Sequence, residues 1–217
     1  EAIILAGLAE AFPDIPVVAE EAAAAGNIPD VSGKRFFLVD PLDGTKEFIN
    51  RRDDFTVNIA LIENGVPVAG IVYAPARKVA YTGANGSAEK LIIADDLTIS
   101  AREKICCRSR GETLTAVASR SHNSPETEAF LAEQGISETT SVGSSLKFCL
   151  VAEGTADVYP RFGRTMEWDT AAGDAVLRAA GGVTNNPDGT VFLYGKTAQA
   201  TDSDFANGYF VAWGAKV

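Results

Sequence analysis

The sequence predicts a fold of mixed helices and strands, and three observations carry this prediction. Residues 36–39 form a continuous apolar run, which is typical of a strand buried on both faces. Residues 55–62 alternate between two faces and lead through Asn64-Gly65 into a second strand pattern, which predicts a β-hairpin. Ser124-Pro125-Glu126 combines an N-cap serine, an N1 proline and an early acid, which predicts the start of a helix.

In the first half of the chain, a helix is followed by strands. Ile4, Leu8 and Phe12 recur at helical spacing, and Pro13 ends the predicted helix. A short strand over residues 15–19 precedes the acidic pair Glu20-Glu21. The remaining stretch at residues 82–110 has only weak β signals, and we expect a peripheral ribbon there.

The second half is predicted to alternate strands and helices. The predicted elements are a strand at 115–119, the capped helix ended by Gly135, a helix at 145–153, a strand at 156–159, a helix at 169–180 and a final strand pair turned by Asp188-Gly189. We therefore divide the chain into residues 1–112 and 113–217, and we expect a site where the two halves meet.

Charge and composition exclude several classes of protein. The 217 residues include 29 acidic and 19 basic side chains, a net charge of −10, so bulk charge gives no basic surface for a nucleic acid polymer or an anionic membrane. The single histidine argues against most zinc sites. Three cysteines without a C-x-x-C pair favour a reducing compartment such as the cytoplasm. No apolar run approaches the ~18 residues that a membrane-spanning helix needs.

Four carboxylates stand where predicted elements end, namely Glu20, Asp40, Asp43 and Asp169. In Asp40-Pro41-Leu42-Asp43 the proline stiffens a turn, so that two carboxylates and the carbonyl between them can face one pocket. Mg²⁺ prefers such oxygen ligands, and two ions ~3.5–4 Å apart could share Asp40. Taken alone, the motif equally fits an ordinary acidic turn.

Three separated motifs, in this order, resemble the metal-dependent, lithium-sensitive inositol monophosphatase superfamily: Glu20-Glu21, Asp40-Pro41-Leu42-Asp43-Gly44-Thr45 and Trp168-Asp169-Thr170-Ala171-Ala172-Gly173. Within it, the chain is most similar to the CysQ-type 3′(2′),5′-bisphosphate nucleotidases. That similarity rests on Asp43-Gly44-Thr45-Lys46-Glu47-Phe48, on Ser119-Arg120-Ser121-His122, and on Gly143-Ser144-Ser145-Leu146-Lys147-Phe148-Cys149 continuing to Tyr159-Pro160-Arg161-Phe162-Gly163. The resemblance covers the whole chain and implies an α+β fold, a layered αβαβα sandwich of the inositol monophosphatase and fructose-1,6-bisphosphatase type.

The resemblance also implies roles for individual residues. Two or three Mg²⁺ ions would be held by Glu20, Asp40, the carbonyl of Leu42, Asp43 and Asp169, with Asp40 bridging. Thr45, Glu20 and Asp43 would form the catalytic set, with Thr45 helping to activate the attacking water. The implied substrate contacts are Glu20, Leu42, Asp43, Gly44, Thr45, His122, Ser144, Lys147, Arg161 and Asp169. Glu21 either orients Glu20 or a metal-bound water, or is an ordinary surface acid.

The implied activity is Mg²⁺-dependent removal of the 3′-phosphate from 3′-phosphoadenosine 5′-phosphate, giving AMP and phosphate in sulfate assimilation and nucleotide recycling. An inositol or sugar phosphate monophosphatase is the first alternative, since it would share the metal residues and differ in the pocket at His122, Ser144, Lys147 and Arg161. A non-catalytic nucleotide or metal sensor is the second.

We expect a small nucleotide bisphosphate as partner, with no nucleic acid polymer and no integral membrane contact. A homodimer and a peripheral association with the inner membrane stay open. Family members carry an earlier helix and an acidic loop whose aspartate partners the threonine in water activation. Both would precede Glu1, and we expect further residues there in the intact protein.

Overall fold

The chain forms two large β-sheets with helices between and outside them, in a computed structural model that describes residues 1–118 and 124–214. The first part contains α1 (Ala2–Ala11), β1 (Val17–Ala19), α2 (Glu20–Ala24), β2 (Arg35–Asp43), α3 (Thr45–Ile49), β3 (Thr56–Glu63), β4 (Val66–Ala74), a 3-10 turn (Pro75–Arg77), β5 (Val79–Ala84), β6 (Ser87–Ile93) and β7 (Ile99–Ile105). The second contains β8 (Thr115–Ala118), α4 (Pro125–Glu133), β9 (Glu138–Ser141), α5 (Leu146–Ala152), β10 (Val158–Arg161), β11 (Thr165–Met166), α6 (Glu167–Ala179), β12 (Val183–Asn185), β13 (Ala206–Asn207) and β14 (Phe210–Trp213).

The two sheets differ in how the chain builds them. Seven strands, β1 to β7, lie side by side in chain order; β1 pairs parallel with β2, and every later pair is antiparallel. The second sheet has the order β12-β14-β10-β8-β9, so its strands are brought together by crossovers. A short ribbon of β11 and β13 stands apart from both.

Helices α5 and α6 lie between the sheets, with α6 against β2 to β6 and α5 against β8 and β10. On the outer side of the first sheet, the ring of Phe12 at the end of α1 lies 5.3 Å from that of Phe37, and α2 contacts β1 and β2. On the outer side of the second sheet, Leu131 of α4 packs with Val158 and Val211. The layers therefore run αβαβα, as the family resemblance implies.

Helix α6 is the central element of the core. Ten of its 13 residues are buried, and the helix approaches β5 so closely that a Cβ on Gly83 would lie 2.5 Å from the Cα of Val176. Only glycine fits such an approach of backbone to backbone. On its other side, the ring of Phe148 from α5 stacks on Phe210 at 5.6 Å and meets Tyr159 edge-on at 5.1 Å. A Cβ on Gly173 of α6 would lie 2.7 Å from the ring of Phe148, so α6 is closely packed on both sides.

Most predicted elements are confirmed, including α1 ending before Pro13, the β3–β4 hairpin, the strand β8 and the helices α4, α5 and α6. The prediction of a peripheral ribbon at residues 82–110 is wrong, because β5, β6 and β7 extend the seven-stranded sheet and β5 and β6 contact α6. The sequence pattern of these strands is weak because β5 carries small residues and six of the seven residues of the edge strand β7 are exposed.

The predicted strand pair at the Asp188-Gly189 turn is also wrong. The residues on either side of the turn form only one isolated bridge, between Asn185 and Val191. Strand β12 instead pairs with β14, which also pairs with β10.

The longest described helix has 13 residues, and none of the described helices could span a bilayer.

Candidate active site

Glu20 and Asp40 are neighbours because β1 and β2 run parallel. Ala19, the last residue of β1, is paired with Val39 of β2, so Glu20 and Asp40, which follow these two residues, lie side by side at the end of the parallel pair. Asp40 is 2% exposed, and Glu20 begins α2 and is half-buried. The carboxyl ends of this one parallel pair therefore bring two carboxylates together from different parts of the sequence.

The end of β2 carries the other residues of the acidic motif. The pairing of β2 with β3 is irregular between Asp40 and Asp43, and the backbone N–H of Leu42 donates to Oδ1 of Asp40 over 2.8 Å. Gly44 then adopts a left-handed conformation (φ 90°) as the N-cap of α3, and Thr45 is the first residue of that helix. The hydroxyl of Thr45 donates to the carbonyl oxygen of Leu42 over 3.4 Å, which holds it beside the motif.

Asp169 reaches this region from the second half of the chain. It lies in the first turn of α6, where its Oδ2 accepts the backbone N–H of Met166 over 2.8 Å. The side chain of Asn207 donates to the carbonyl of Met166 over 2.8 Å and so braces the same turn. The preceding Trp168 is buried and packs near Phe205, with ring centres 6.3 Å apart, as expected for a packing residue.

The four carboxylates interact strongly with one another. Burial raises the pKa of Asp40 to about 10, and the charges of Asp43 and Glu20 add to that shift. Burial, followed by the charge of Asp43, raises the pKa of Asp169 to about 7. Burial is also the main cause of the raised pKa of Glu20 and of Asp43. Buried like charges of this kind need protons or cations to coexist.

This donor set fits Mg²⁺. The ligands are carboxylate and carbonyl oxygens, and a divalent cation would relieve the repulsion that raises their pKa values. Within residues 1–118 and 124–214, no three acidic, histidine or cysteine side chains converge closely enough to enclose one ion by themselves. Mg²⁺ needs fewer, since it commonly takes one or two carboxylates and completes its octahedron with waters and substrate phosphate.

A cleft of about 270 Å³ opens beside the acids and joins them to a group of cations. Asp43 and Asp169 line it together with Lys147 and Arg161. Burial lowers the pKa of Lys147 to about 8, against the opposing effect of Asp43, and its Nζ donates to the carbonyl of Ser144 over 2.6 Å. The Nε of Arg161 is buried and has no hydrogen-bond partner within the described part of the chain. The cleft is thus lined by acidic and by basic side chains.

The structure brings together most of the residues that the sequence singled out. Those that line the cleft are Asp43, Gly44, Thr45, Ser144, Lys147, Arg161 and Asp169. Asp40 lies buried behind it, and Glu20 lines a neighbouring hollow with Trp168 and Phe205. Glu21 is exposed, and its backbone N–H donates to a carboxylate oxygen of Glu1 over 2.9 Å. His122 lies outside the described residues.

The sequence reasoning missed three further residues. Arg164 lines the cleft, with its guanidinium held by Asp202 and Ser203. Asn58 and Ser145 are buried and hydrogen-bonded close to Asp43. One signal for Asn58 was present, because it shares a strand face with the apolar Ala60 and Ile62, and that face proves to be the fully buried one.

Comparison with known proteins agrees with this arrangement. The profile of the Inositol monophosphatase family matches residues 1–211. A 3′(2′),5′-bisphosphate nucleotidase CysQ from Salmonella typhimurium is 50% identical over 192 residues, covering 88% of this chain and 75% of the relative. The protein of the same name from Buchnera aphidicola is 40% identical and covers 97% of this chain and 76% of its own length.

Solved structures give the same result. The crystal structure of CysQ from Bacteroides thetaiotaomicron superposes with a TM-score of 0.73 at 37% identity, covering 94% of this chain and 78% of that one. An inositol monophosphatase from Anabaena superposes with a TM-score of 0.73 at 25% identity, covering 99% of this chain and 79% of that one. The fold, the order of the motifs and these similarities lead to one conclusion: the chain belongs to the inositol monophosphatase family.

Proposed function

We propose that this protein is a Mg²⁺-dependent phosphatase that removes the 3′-phosphate from 3′-phosphoadenosine 5′-phosphate, releasing AMP and phosphate in sulfate assimilation and nucleotide recycling. One observation carries the choice of substrate: the same cleft is lined by acids at Asp43 and Asp169 and by cations at Lys147 and Arg161. A bisphosphate carries a second phosphate, which these cations would neutralise while the first phosphate lies at the acids. The similarity to CysQ nucleotidases supports the same substrate class.

In this proposal two or three Mg²⁺ ions would be held by Glu20, Asp40, the carbonyl of Leu42, Asp43 and Asp169. When bound, the metal supplies a more acidic water and neutralises charge on the phosphoryl group. The raised pKa values of these acids are the physical support, because cations would replace the protons that the buried carboxylates otherwise need.

The chain's own residues orient the reactants. Thr45, tethered to the carbonyl of Leu42, presents a hydroxyl at the mouth of the motif, where it would help to position the attacking water. Gly44 has no side chain to block close approach of a phosphate to the backbone. Lys147 and Arg161 would hold the second phosphate, because both are cations that line the cleft. Ser144, which also lines the cleft, and His122 would contact the nucleotide, as the resemblance implies.

Three further parts of the proposal concern context. We assign Glu21 the role of orienting Glu20 or a metal-bound water. The partner is a small nucleotide bisphosphate, and the protein acts in the cytoplasm, with a homodimer and a loose association with the inner membrane as extensions to be tested. The division into residues 1–112 and 113–217 is part of the same proposal, with the site between the two halves.

Phosphate release tests this proposal directly. The substrates are 3′-phosphoadenosine 5′-phosphate and inositol 1-phosphate, each with MgCl₂ and with EDTA. We expect Mg²⁺-dependent release with a strong preference for the nucleotide. Preference for the inositol ester would keep the metal site and assign the inositol or sugar phosphate alternative. Tight nucleotide binding without release would indicate the sensor.

A further inference from the structure

A chain of buried polar groups runs from β3 and the start of α5 to Asp43. Thr56, Asn58 and Ser145 are each at most 2% exposed. The hydroxyl oxygens of Thr56 and Ser145 lie 3.0 Å apart, the hydroxyl of Ser145 donates to Oδ1 of Asn58 over 2.6 Å, and Nδ2 of Asn58 donates to Oδ2 of Asp43 over 3.4 Å. The backbone N–H of Ser145 donates to the same Oδ2 over 2.6 Å.

The chemistry of these groups gives the chain a direction. An ionised carboxylate only accepts, so Asn58 must turn its NH₂ toward Asp43 and its carbonyl toward Ser145. The hydroxyl of Ser145 donates its single proton to Asn58, and therefore the hydroxyl of Thr56 is the donor to Ser145. Every proton in the series is donated toward Asp43. Hydrogen bonds aligned in this way polarise one another in a low-dielectric interior.

The position of these polar groups along β3 has no explanation in packing alone. The fully buried face of the strand carries Ala60 and Ile62 at one end and Asn58 and Thr56 at the other. Burying hydroxyl and amide groups costs free energy unless all are hydrogen-bonded. The change from apolar to polar occurs where β3 runs beside the acidic motif, since Asn58 is paired with Asp40 and Thr56 with Asp43.

We propose that Asn58 and Ser145 are positioning residues that hold Oδ2 of Asp43 and so leave its Oδ1 to face the divalent cation. The inference rests on the proposed function, because it takes Asp43 as a metal ligand. Ser145 is the N-cap of α5 and Asn58 belongs to β3, 87 positions apart in sequence, so the orientation of this carboxylate is set only when the two parts of the chain are packed together.

Metal affinity tests the proposal without reference to catalysis. Mn²⁺ alone is the probe, and free Mn²⁺ is measured by electron paramagnetic resonance with the whole 217-residue chain. The variants are Ser145→Ala, Asn58→Ala and the double variant. Ser145→Ala keeps the backbone N–H to Asp43 and removes only the hydroxyl, so it carries the test if Asn58→Ala does not fold. Thr184→Ala is the matched control, since Thr184 is fully buried and donates to Asp174 over 2.7 Å in a separate network.

We expect each single variant to raise the dissociation constant of Mn²⁺ about 10-fold, as is common for residues that orient metal ligands. The dissociation constant of the double variant should be no higher than that of the single variant that binds Mn²⁺ more weakly, because both changes break one series of hydrogen bonds. Thr184→Ala should lower stability with an unchanged dissociation constant. If Ser145→Ala and Asn58→Ala bind Mn²⁺ as wild type does, the positioning role is overturned. Wild-type protein that binds no Mn²⁺ would overturn the proposed metal site itself, and this inference with it.

Discussion

Asp43 and Lys147 lie in opposite halves of the chain, and the charge of each offsets part of the pKa shift that burial causes in the other. Burial raises the pKa of Asp43, and the charge of Lys147 is the largest influence that lowers it again. Burial lowers the pKa of Lys147 to about 8, and the charge of Asp43 is the largest influence in the opposite direction. The two residues line one cleft, so a change in either alters the electrostatic field in which a phosphate would bind.

Lys147→Met should therefore separate the two substrate classes. We expect the KM for 3′-phosphoadenosine 5′-phosphate to rise about 10- to 100-fold, the loss of one charge-assisted contact. The KM for inositol 1-phosphate should change much less, since that substrate has no second phosphate. Steady-state kinetics on both substrates measures the difference.

Lys90→Met is a matched control for that variant. Lys147 lies 5.4 Å from the centre of the Tyr159 ring, and Lys90 lies 5.5 Å from that of Tyr81, but Lys90 pairs with Glu153 outside the cleft. It should change neither KM. Equal effects of Lys147→Met on both substrates would argue against a role for Lys147 in holding a second phosphate.

Asp43→Asn should abolish Mg²⁺-dependent turnover and leave the fold intact. The amide oxygen can still accept the N–H groups of Ser145 and Asn58, while one buried negative charge is removed from the acid group. In EDTA the variant should therefore be at least as stable as wild type, and MgCl₂ should raise its Tm less. Asp30→Asn on the surface is the control. Turnover retained in Asp43→Asn would contradict the metal assignment.

Without metal, stability should fall as pH rises from about 5 to 8. In the folded state the pKa of Asp169 is about 7 and that of Asp40 about 10, against 3.8 for an unperturbed aspartate. The folded chain holds protons that the unfolded chain has lost, on both residues up to about pH 7 and on Asp40 alone above it, so each unit of pH costs about 1 kcal/mol per protonated group, or about 2–4 °C in Tm. Lys147 titrates with the opposite sign only above about pH 8.

Thermal unfolding in EDTA at pH 5, 6, 7 and 8 measures this dependence, with a parallel series in MgCl₂. Because Mg²⁺ and protons compete for the same carboxylates, the increase in Tm caused by Mg²⁺ should be larger at pH 8 than at pH 5. A Tm that stays constant or rises with pH in EDTA would contradict the raised pKa values of Asp169 and Asp40.

Gly83→Ala should lower the free energy of unfolding by about 1–3 kcal/mol, because its methyl group would meet the backbone of α6. Gly7→Ala is the control, since nothing lies within 4 Å of a Cβ at Gly7 in α1, and alanine there should stabilise by about 0.5–1 kcal/mol. Urea denaturation compares the two. Similar effects from both would contradict the close packing of β5 on α6.

The elements that could be predicted from the sequence are those whose local signals agree with their final environment. Ser124 caps α4, because its hydroxyl oxygen accepts the backbone N–H of Thr127. The Ser-Pro-Glu motif identifies this cap directly. β7 is an edge strand exposed along nearly its whole length, so hydrophobic periodicity could not reveal it. Acidic ends of strands indicated Glu20 and Asp40, but their adjacency depends on a strand register. Ser145 and Asn58 form a bond across 87 positions of sequence, which no local pattern contains.

The parallel pairing of β1 with β2 has a consequence for how this site can vary in evolution. Successive side chains of a strand point to opposite faces, so a single inserted residue in Val17–Ala19 would turn Glu20 away from Asp40. The connection at residues 25–34, between α2 and β2, contains no helix or strand and is not bound by this register. Insertions and deletions should therefore accumulate in that connection, while the two strands that it joins keep a constant length.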